Sequence, residues 1–183
     1  MAIKTFTDNT SLPASDINAY LNNGGLVYIK QQTVGSGVTS VTVTDAFSST
    51  YDNYRITVTG IVPSAQDSFR LMIGSGRTNG HYGAMNYMLY TVSGGTIGAN
   101  NAASIYCTLN QSSVNNTQFN CDIFSPFLAT RTGMIGQGFG RLYYCDFGGA
   151  DDSLSSYTSF TLLTDGAGTM TGGTITVFGY RKA

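Results

Sequence analysis

Tryptophan and glutamate are absent from this 183-residue chain, histidine occurs once, and charged residues make up only 10% of it. Each shortage excludes something. With a single histidine, His81, at most one Ser-His-Asp or Cys-His arrangement can be built, and no histidine-rich metal cluster. With no glutamate, the paired carboxylates of a glycosidase would have to come from the 10 acidic residues, all of them aspartates. Only Asp122 and Asp146 stand in strongly apolar runs, where a carboxyl can be held protonated, and alternation beside Cys121 and Cys145 turns both outward. The missing tryptophan removes the largest surface for stacking on a sugar ring. Average soluble proteins carry about 25% charged residues. Where charge is this scarce, and Ser, Thr, Asn, Gln and Tyr replace it, neighbouring molecules repel weakly and the surface suits packing into an assembly.

The formal net charge of −1 and pI of 5.6 leave no basic field for a phosphate backbone, so nucleic acid is not an expected partner. No stretch approaches the run of about 20 apolar residues that a membrane helix needs, so membrane insertion is not expected either. Met1 to Phe6 leads into polar residues where a signal peptide would place its apolar core, which points to synthesis in a cytoplasm without export by that route. Cys107, Cys121 and Cys145 are odd in number, have no C-x-x-C spacing and sit among alternating apolar residues. They read as buried free thiols.

One short helix is predicted, over Leu12 to Gly25. Pro13 suits a first turn, Asp16 places negative charge near the N-terminus, and Gly24 can end the helix in a left-handed conformation. Ile17, Tyr20 and Leu21 form a single apolar stripe, and a helix of about ten residues must dock to be stable. It docks either on its own domain or on a neighbouring subunit.

After Gly25 the hydrophobic period becomes two. Tyr54, Ile56 and Val58 point one way while Arg55, Thr57 and Thr59 point the other, and Phe69, Leu71, Ile73 and Phe119, Cys121, Ile123 repeat the pattern. Strands are predicted near 26–33, 38–44, 53–60, 68–74, 84–92, 103–109, 117–125, 132–139, 140–147, 156–163 and 173–180. Turn-forming clusters separate them, among them Ser93-Gly94-Gly95, Gly148-Gly149-Ala150-Asp151-Asp152 and Asp165-Gly166-Ala167-Gly168. The fold class is therefore all-β: an antiparallel, jelly-roll-like β-sandwich of about 8–11 strands over residues 26–183, preceded by an N-terminal arm and short docking helix over 1–25. Glycines at 133, 136, 138 and 140 mark a place where another backbone approaches closely, from a second sheet or a second subunit.

Chemistry-bearing patterns are few. Gly136-Gln137-Gly138-Phe139-Gly140 lacks the Lys-Ser/Thr ending and following helix of a phosphate loop. Asp151, Asp152 and Asp165 adjoin glycines and read as turn aspartates, short of the six or more oxygen ligands that calcium takes. No catalytic residue, metal site or cofactor is expected. His81 falls in Gly80-His81-Tyr82-Gly83, read as a loop. With Tyr82, Asn86 and Tyr87 it makes a candidate recognition cluster of rings and hydrogen-bonding groups, weighed against a buried strand face of Met85, Tyr87 and Leu89.

Two stretches carry a resemblance. Phe6-Thr7 with Leu12-Pro13-Ala14-Ser15-Asp16-Ile17-Asn18-Ala19-Tyr20-Leu21 resembles the opening of many small tailed-bacteriophage virion proteins. Ala46-Phe47-Ser48-Ser49-Thr50-Tyr51-Asp52-Asn53-Tyr54-Arg55-Ile56 resembles the lead into a core strand of the same proteins, with a similar ending at Gly173 to Tyr180. In the second stretch Phe47 anchors a strand end, Ser48-Ser49 bond the local backbone and Asp52-Asn53 turns the chain. The resemblance implies a β-rich virion module, assembled in a host cytoplasm and freed by lysis, and it carries over no catalytic or binding residue. The expectation that follows is a non-enzymatic tail-fibre or tail-tip adhesion module, its Ile17, Tyr20 and Leu21 stripe docking on other virion proteins. Homotrimeric association is expected, with a host surface glycan as a candidate partner. A capsid decoration (cement) protein is the alternative, and a host polysaccharide hydrolase the remote one.

Overall fold

The computed structural model describes residues 25–91, 93–109, 116–140 and 143–182. The predicted arm and helix, with Ile17, Tyr20 and Leu21, lie outside the described residues. Within them the chain forms thirteen strands and no helix: β1 (Leu26–Thr33), β2 (Ser40–Val43), β3 (Asn53–Pro63), β4 (Phe69–Ile73), β5 (His81–Leu89), β6 (Gly94–Ala102), β7 (Ile105–Tyr106), β8 (Thr117–Phe124), β9 (Thr132–Phe139), β10 (Tyr143–Asp151), β11 (Phe160–Thr164), β12 (Met170–Thr171) and β13 (Thr174–Tyr180). The larger of two sheets runs β1-β13-β3-β8-β9-β10-β5-β6, with β12 added on β3, and the smaller runs β2-β11-β4-β7. All ladders are antiparallel.

The two sheets form a sandwich, because each strand turns one set of alternate side chains inward. Tyr54, Ile56 and Val58 from β3, Phe119, Cys121 and Ile123 from β8, and Ile175 and Val177 from β13 are all buried. They belong to one cluster with Phe69, Leu71, Ile73, Phe160 and Leu162 of the small sheet. The Phe47 ring meets Tyr54 edge-on at 4.8 Å and lies 5.8 Å from Phe160, so it joins the layers at a strand end. Tyr54 is fully buried with its hydroxyl satisfied: it accepts from the Ser48 N–H and donates to the Ser48 carbonyl, each at 2.8 Å. Ser48 thus does more than cap locally.

Two predicted turns are strands. β6 begins at Gly94, inside the expected Ser93-Gly94-Gly95 turn, and pairs along β5 to form a long hairpin. β10 runs through Gly148, Gly149 and Ala150 to Asp151, because these residues are paired on both sides, with β5 and with β9. Glycine suits this position: a Cβ on Gly149 would lie 2.3 Å from the Tyr82 carbonyl oxygen and 2.6 Å from Ile105 Cδ1. Conversely, the strand expected over 103–109 shrinks to Ile105–Tyr106. The three thiols are free and buried, as read from the sequence. Burial pushes all three thiols above their ordinary range, that of Cys145 to about 11. Among the described residues, no helix is long and apolar enough to cross a membrane.

Candidate functional site

Alternation leaves the large sheet with an outer face that none of the described residues covers. Cross-strand register aligns its side chains into rows. One row is polar over the whole width of the sheet: Gln31 faces Thr176, then Thr57, Asn120, Gln137, Asp146, Asn86 and Thr96 in succession. Gln31 Nε2 donates to Thr176 Oγ1 at 3.3 Å, and the Thr96 hydroxyl donates to Asn86 Oδ1 at 2.9 Å. Centrally, Gln137 Nε2 donates to the Tyr144 hydroxyl at 2.8 Å and to Asp146 Oδ1 at 3.1 Å, while Tyr144 donates to the same carboxylate oxygen at 2.7 Å.

The flanking rows are more apolar. On one side Tyr28 and Phe178 pack edge to face at 6.2 Å, followed by the Arg55 and Asp122 pair and then Ile135. On the other side Gln118 faces Phe139, which faces Tyr144, which faces Met88. Tyr28, Ile135, Phe139, Tyr144 and Met88 are all exposed large side chains. Between Thr57, Gln118, Asn120, Gln137, Phe139 and Tyr144 the face dips into a depression of about 240 Å3. A second dip of about 210 Å3 lies at Tyr82, Arg131, Ala150 and Asp152, where Arg131 and Asp152 form an ion pair.

The predicted recognition cluster is split by the pleat. Tyr82 and Asn86 stand on the outer face, Asn86 within the polar row. Tyr87 points the other way and packs against the core with Leu89, so for this residue the strand-face reading holds. His81 is corrected: it opens β5 and is fully buried, withdrawn from any surface ligand. Its Nε2 accepts the Ile73 backbone N–H at 3.0 Å, tying β5 to the small sheet. The loop reading came from Gly80 and Gly83; Gly80 does turn the chain just before β5, with a φ of 96°, whereas Gly83 lies within the strand and serves close packing. A Cβ on Gly83 would lie 2.6 Å from the Gly148 carbonyl oxygen.

Beside His81 sits an ion cluster that the sequence did not announce. Asp151, read as a turn residue, is fully buried. Arg77 Nη2 donates to its Oδ1 at 2.9 Å, Tyr157 donates its hydroxyl to the other oxygen, and Arg77 also bonds Tyr157. Asp122 is held by Arg55 in a two-point pair, Nε to Oδ1 at 2.7 Å and Nη2 to Oδ2, with Tyr180 donating to Oδ1 at 2.7 Å. Burial alone would raise its pKa, but the Arg55 and Tyr180 bonds outweigh burial and hold it below the usual carboxylate range. Arg70 with Asp165 and Lys182 with Asp52, each at 2.7 Å, continue the pattern of charges spent on one another. Asp122 faces Ile135 and Asp146 faces Gln137, so these two carboxylates lie in different rows, two strands apart. Among the described residues, no group of three or more potential ligands is placed to hold a metal ion.

Burial keeps His81 neutral by lowering its pKa from the ordinary 6.5, with Arg77 adding to the effect and Asp151 opposing it. In the unfolded chain His81 takes up a proton near pH 6.5, so below that point the unfolded state binds more protons and stability falls with pH. The chain has no glutamate and no second histidine, so no other side chain of ordinary pKa titrates between about pH 5.5 and 7. Unfolding free energies from urea titrations are expected to be level near pH 7 to 7.5 and to decline from pH 6.5 to 5.5, by at most about 1.4 kcal/mol per pH unit, with a separate decline above about pH 8 as the unfolded thiols ionise and the buried ones do not. The acid-side decline is absent in His81→Gln; a slope unchanged by that substitution would contradict the assignment.

No protein-family model matches the chain and no curated protein matches it, so its function is read from its own residues alone.

Proposed function

We propose that the chain is a non-enzymatic structural module of a bacteriophage particle: a tail-fibre or tail-tip adhesion domain, mounted through residues 1–24 with Ile17, Tyr20 and Leu21 as the docking stripe. The observation that carries this reading is the outer face of the large sheet, eight strands wide, with a continuous polar row in which Asp146 is the one charged member, and exposed rings on either side. A broad and nearly uncharged face suits contact with other molecules. The groups that could do chemistry are engaged elsewhere, the thiols and His81 in the core and the aspartates of the ion pairs with their cations.

Strand order supports a jelly roll as the underlying plan. Setting aside the β5–β6 and β9–β10 hairpins and short β12, the large sheet reads β1-β13-β3-β8 and faces β2-β11-β4-β7. Numbered by chain position among these eight, that is first, eighth, third and sixth opposite second, seventh, fourth and fifth, the double Greek key of a jelly roll. The two hairpins then widen one sheet on one side, which is how the outer face becomes so broad. Assembly as a homotrimer accords with this plan, because among the described residues β1 and β6 are the edge strands of a weakly charged chain, and cyclic association would cover such edges.

Deleting residues 1–24 tests the mounting. The shortened chain is expected to keep its cooperative melting and strand circular dichroism, yet to be missing from particles purified by density gradient. An unfolded product would show that this segment completes the core, and a shortened chain that still joins particles would remove its docking role.

A further inference from the structure

We infer that the depression between β3, β8, β9 and β10 is a binding site for a single neutral hexopyranose ring, a non-reducing terminal or branch unit of a surface polysaccharide. This rests on the adhesion reading and gives it a site and a ligand class. Three polar groups lining the depression, the Thr57 hydroxyl and the Gln118 and Asn120 amides, make no hydrogen bond among the described residues. They therefore offer unused donors and acceptors at an open surface. Beside them the Tyr144 ring is fixed by its own hydroxyl, which is bonded to both Gln137 and Asp146. The Phe139 ring, 49% exposed, stands next to it in register.

These features choose among occupants. A dry protein contact would leave the Thr57, Gln118 and Asn120 groups buried without partners, which is unfavourable unless the other surface matches every one of them. A sugar ring supplies hydroxyls that both donate and accept, and an apolar C–H face to lie on Phe139. Charge then selects within sugars. Among the described residues, the carboxyl group adjoining the depression is that of Asp146, and the cation in the neighbouring row, Arg55, is fully engaged by Asp122. No unpaired cation among the described residues lines the depression to answer the carboxylate of a uronate or sialic acid, which would instead meet Asp146, so a neutral ring suits the site. At about 240 Å3 the dip is smaller than an ordinary ligand pocket, which fits one ring held weakly, with a Kd on the order of 1 mM. Several copies on one particle turn such weak sites into firm attachment.

Backbone amide NMR of the full chain tests this directly, by titration with methyl glucoside, methyl galactoside and methyl mannoside, and with glucuronate and N-acetylneuraminate as anionic controls. At least one neutral glycoside is expected to shift the amides of residues 118–120, 137–139 and 144, with half-saturation on the order of 1 mM, while the acids do not. Phe139→Ala and Asn120→Ala are surface changes that should leave the melting temperature in place and weaken binding tenfold or more. No shift up to 50 mM, shifts centred on Tyr82 and Arg131, or loss of the depression's signals on self-association would each overturn the proposal, the last in favour of a contact between copies. Particle attachment is scored without sugar, so failure here is distinguishable from failure of the adhesion reading itself.

Discussion

Asp151→Ala is expected to lower stability by about 3–5 kcal/mol, the range for removing one partner of a buried ion pair. For a chain of this size that is a fall of melting temperature on the order of 10 °C. The cost arises from what the substitution leaves behind. Asp151 has no exposed surface, and its two oxygens receive Arg77 and Tyr157. Without the carboxylate, a guanidinium only 21% exposed and a phenol lose their acceptor together. Replacing Arg77 and Asp151 jointly by Met and Leu should cost less than Asp151→Ala alone, because no orphaned charge remains. The exposed pair of Lys182 and Asp52 is the control, and Asp52→Ala should change stability by about 1 kcal/mol or less. Urea unfolding of the four proteins measures all of this. An Asp151→Ala variant as stable as the Asp52→Ala variant would mean that the cluster beneath β5 is not formed.

The second large effect belongs to a glycine. A methyl group on Gly136 would sit 2.3 Å from the Asn120 carbonyl oxygen and 2.3 Å from Phe147 Cζ. The oxygen belongs to a paired strand and cannot withdraw, so β9 must move away from β8 or Phe147 must leave its place in the core. Gly136→Ala should therefore cost about 2–3 kcal/mol, the upper part of the overpacking range. Gly98, on edge strand β6, is the counterpart: its nearest neighbour to an added Cβ is the Gly83 carbonyl oxygen at 3.9 Å. Gly98→Ala should be neutral or stabilise by up to about 1 kcal/mol, since alanine loses less backbone entropy than glycine on folding. Thermal melts of the two variants separate the cases, and equal melting points would contradict the packing described for β9.

The same residues show what the sequence could convey. The period-two pattern through Tyr54, Ile56 and Val58 was legible because both sides of β3 differ sharply in polarity, and most strands followed from it. Gly138 marked a close approach of backbone outside its own sheet, that of the Cys107 carbonyl, from which an added Cβ would be 2.7 Å away, whereas the close neighbours of Gly136 are Phe147 and the Asn120 carbonyl of the adjoining strand β8. β6 was not legible, since Gly94, Gly95 and Gly98 with Asn100 and Asn101 give neither propensity nor alternation; its pairing with β5 supplies what its composition lacks. His81 and Asp151 were misplaced for a related reason. Glycine and aspartate next to each other read as a turn, and only the tertiary partners Arg77 and Tyr157 make a buried Asp151 tolerable. Asn86 was placed on a candidate face by its chemistry, but the depression itself joins residues of β3, β8, β9 and β10. No local stretch of sequence announces that row, because it exists only through register.

Cryo-electron microscopy of purified particles tests the central claim most directly. The account predicts density for this sandwich in threefold groups at the tail, with the outer face of the large sheet turned to solvent and the β1 end toward the particle. Particles that lack the chain, or density that places it on the capsid shell with that face buried against the capsid, would contradict it.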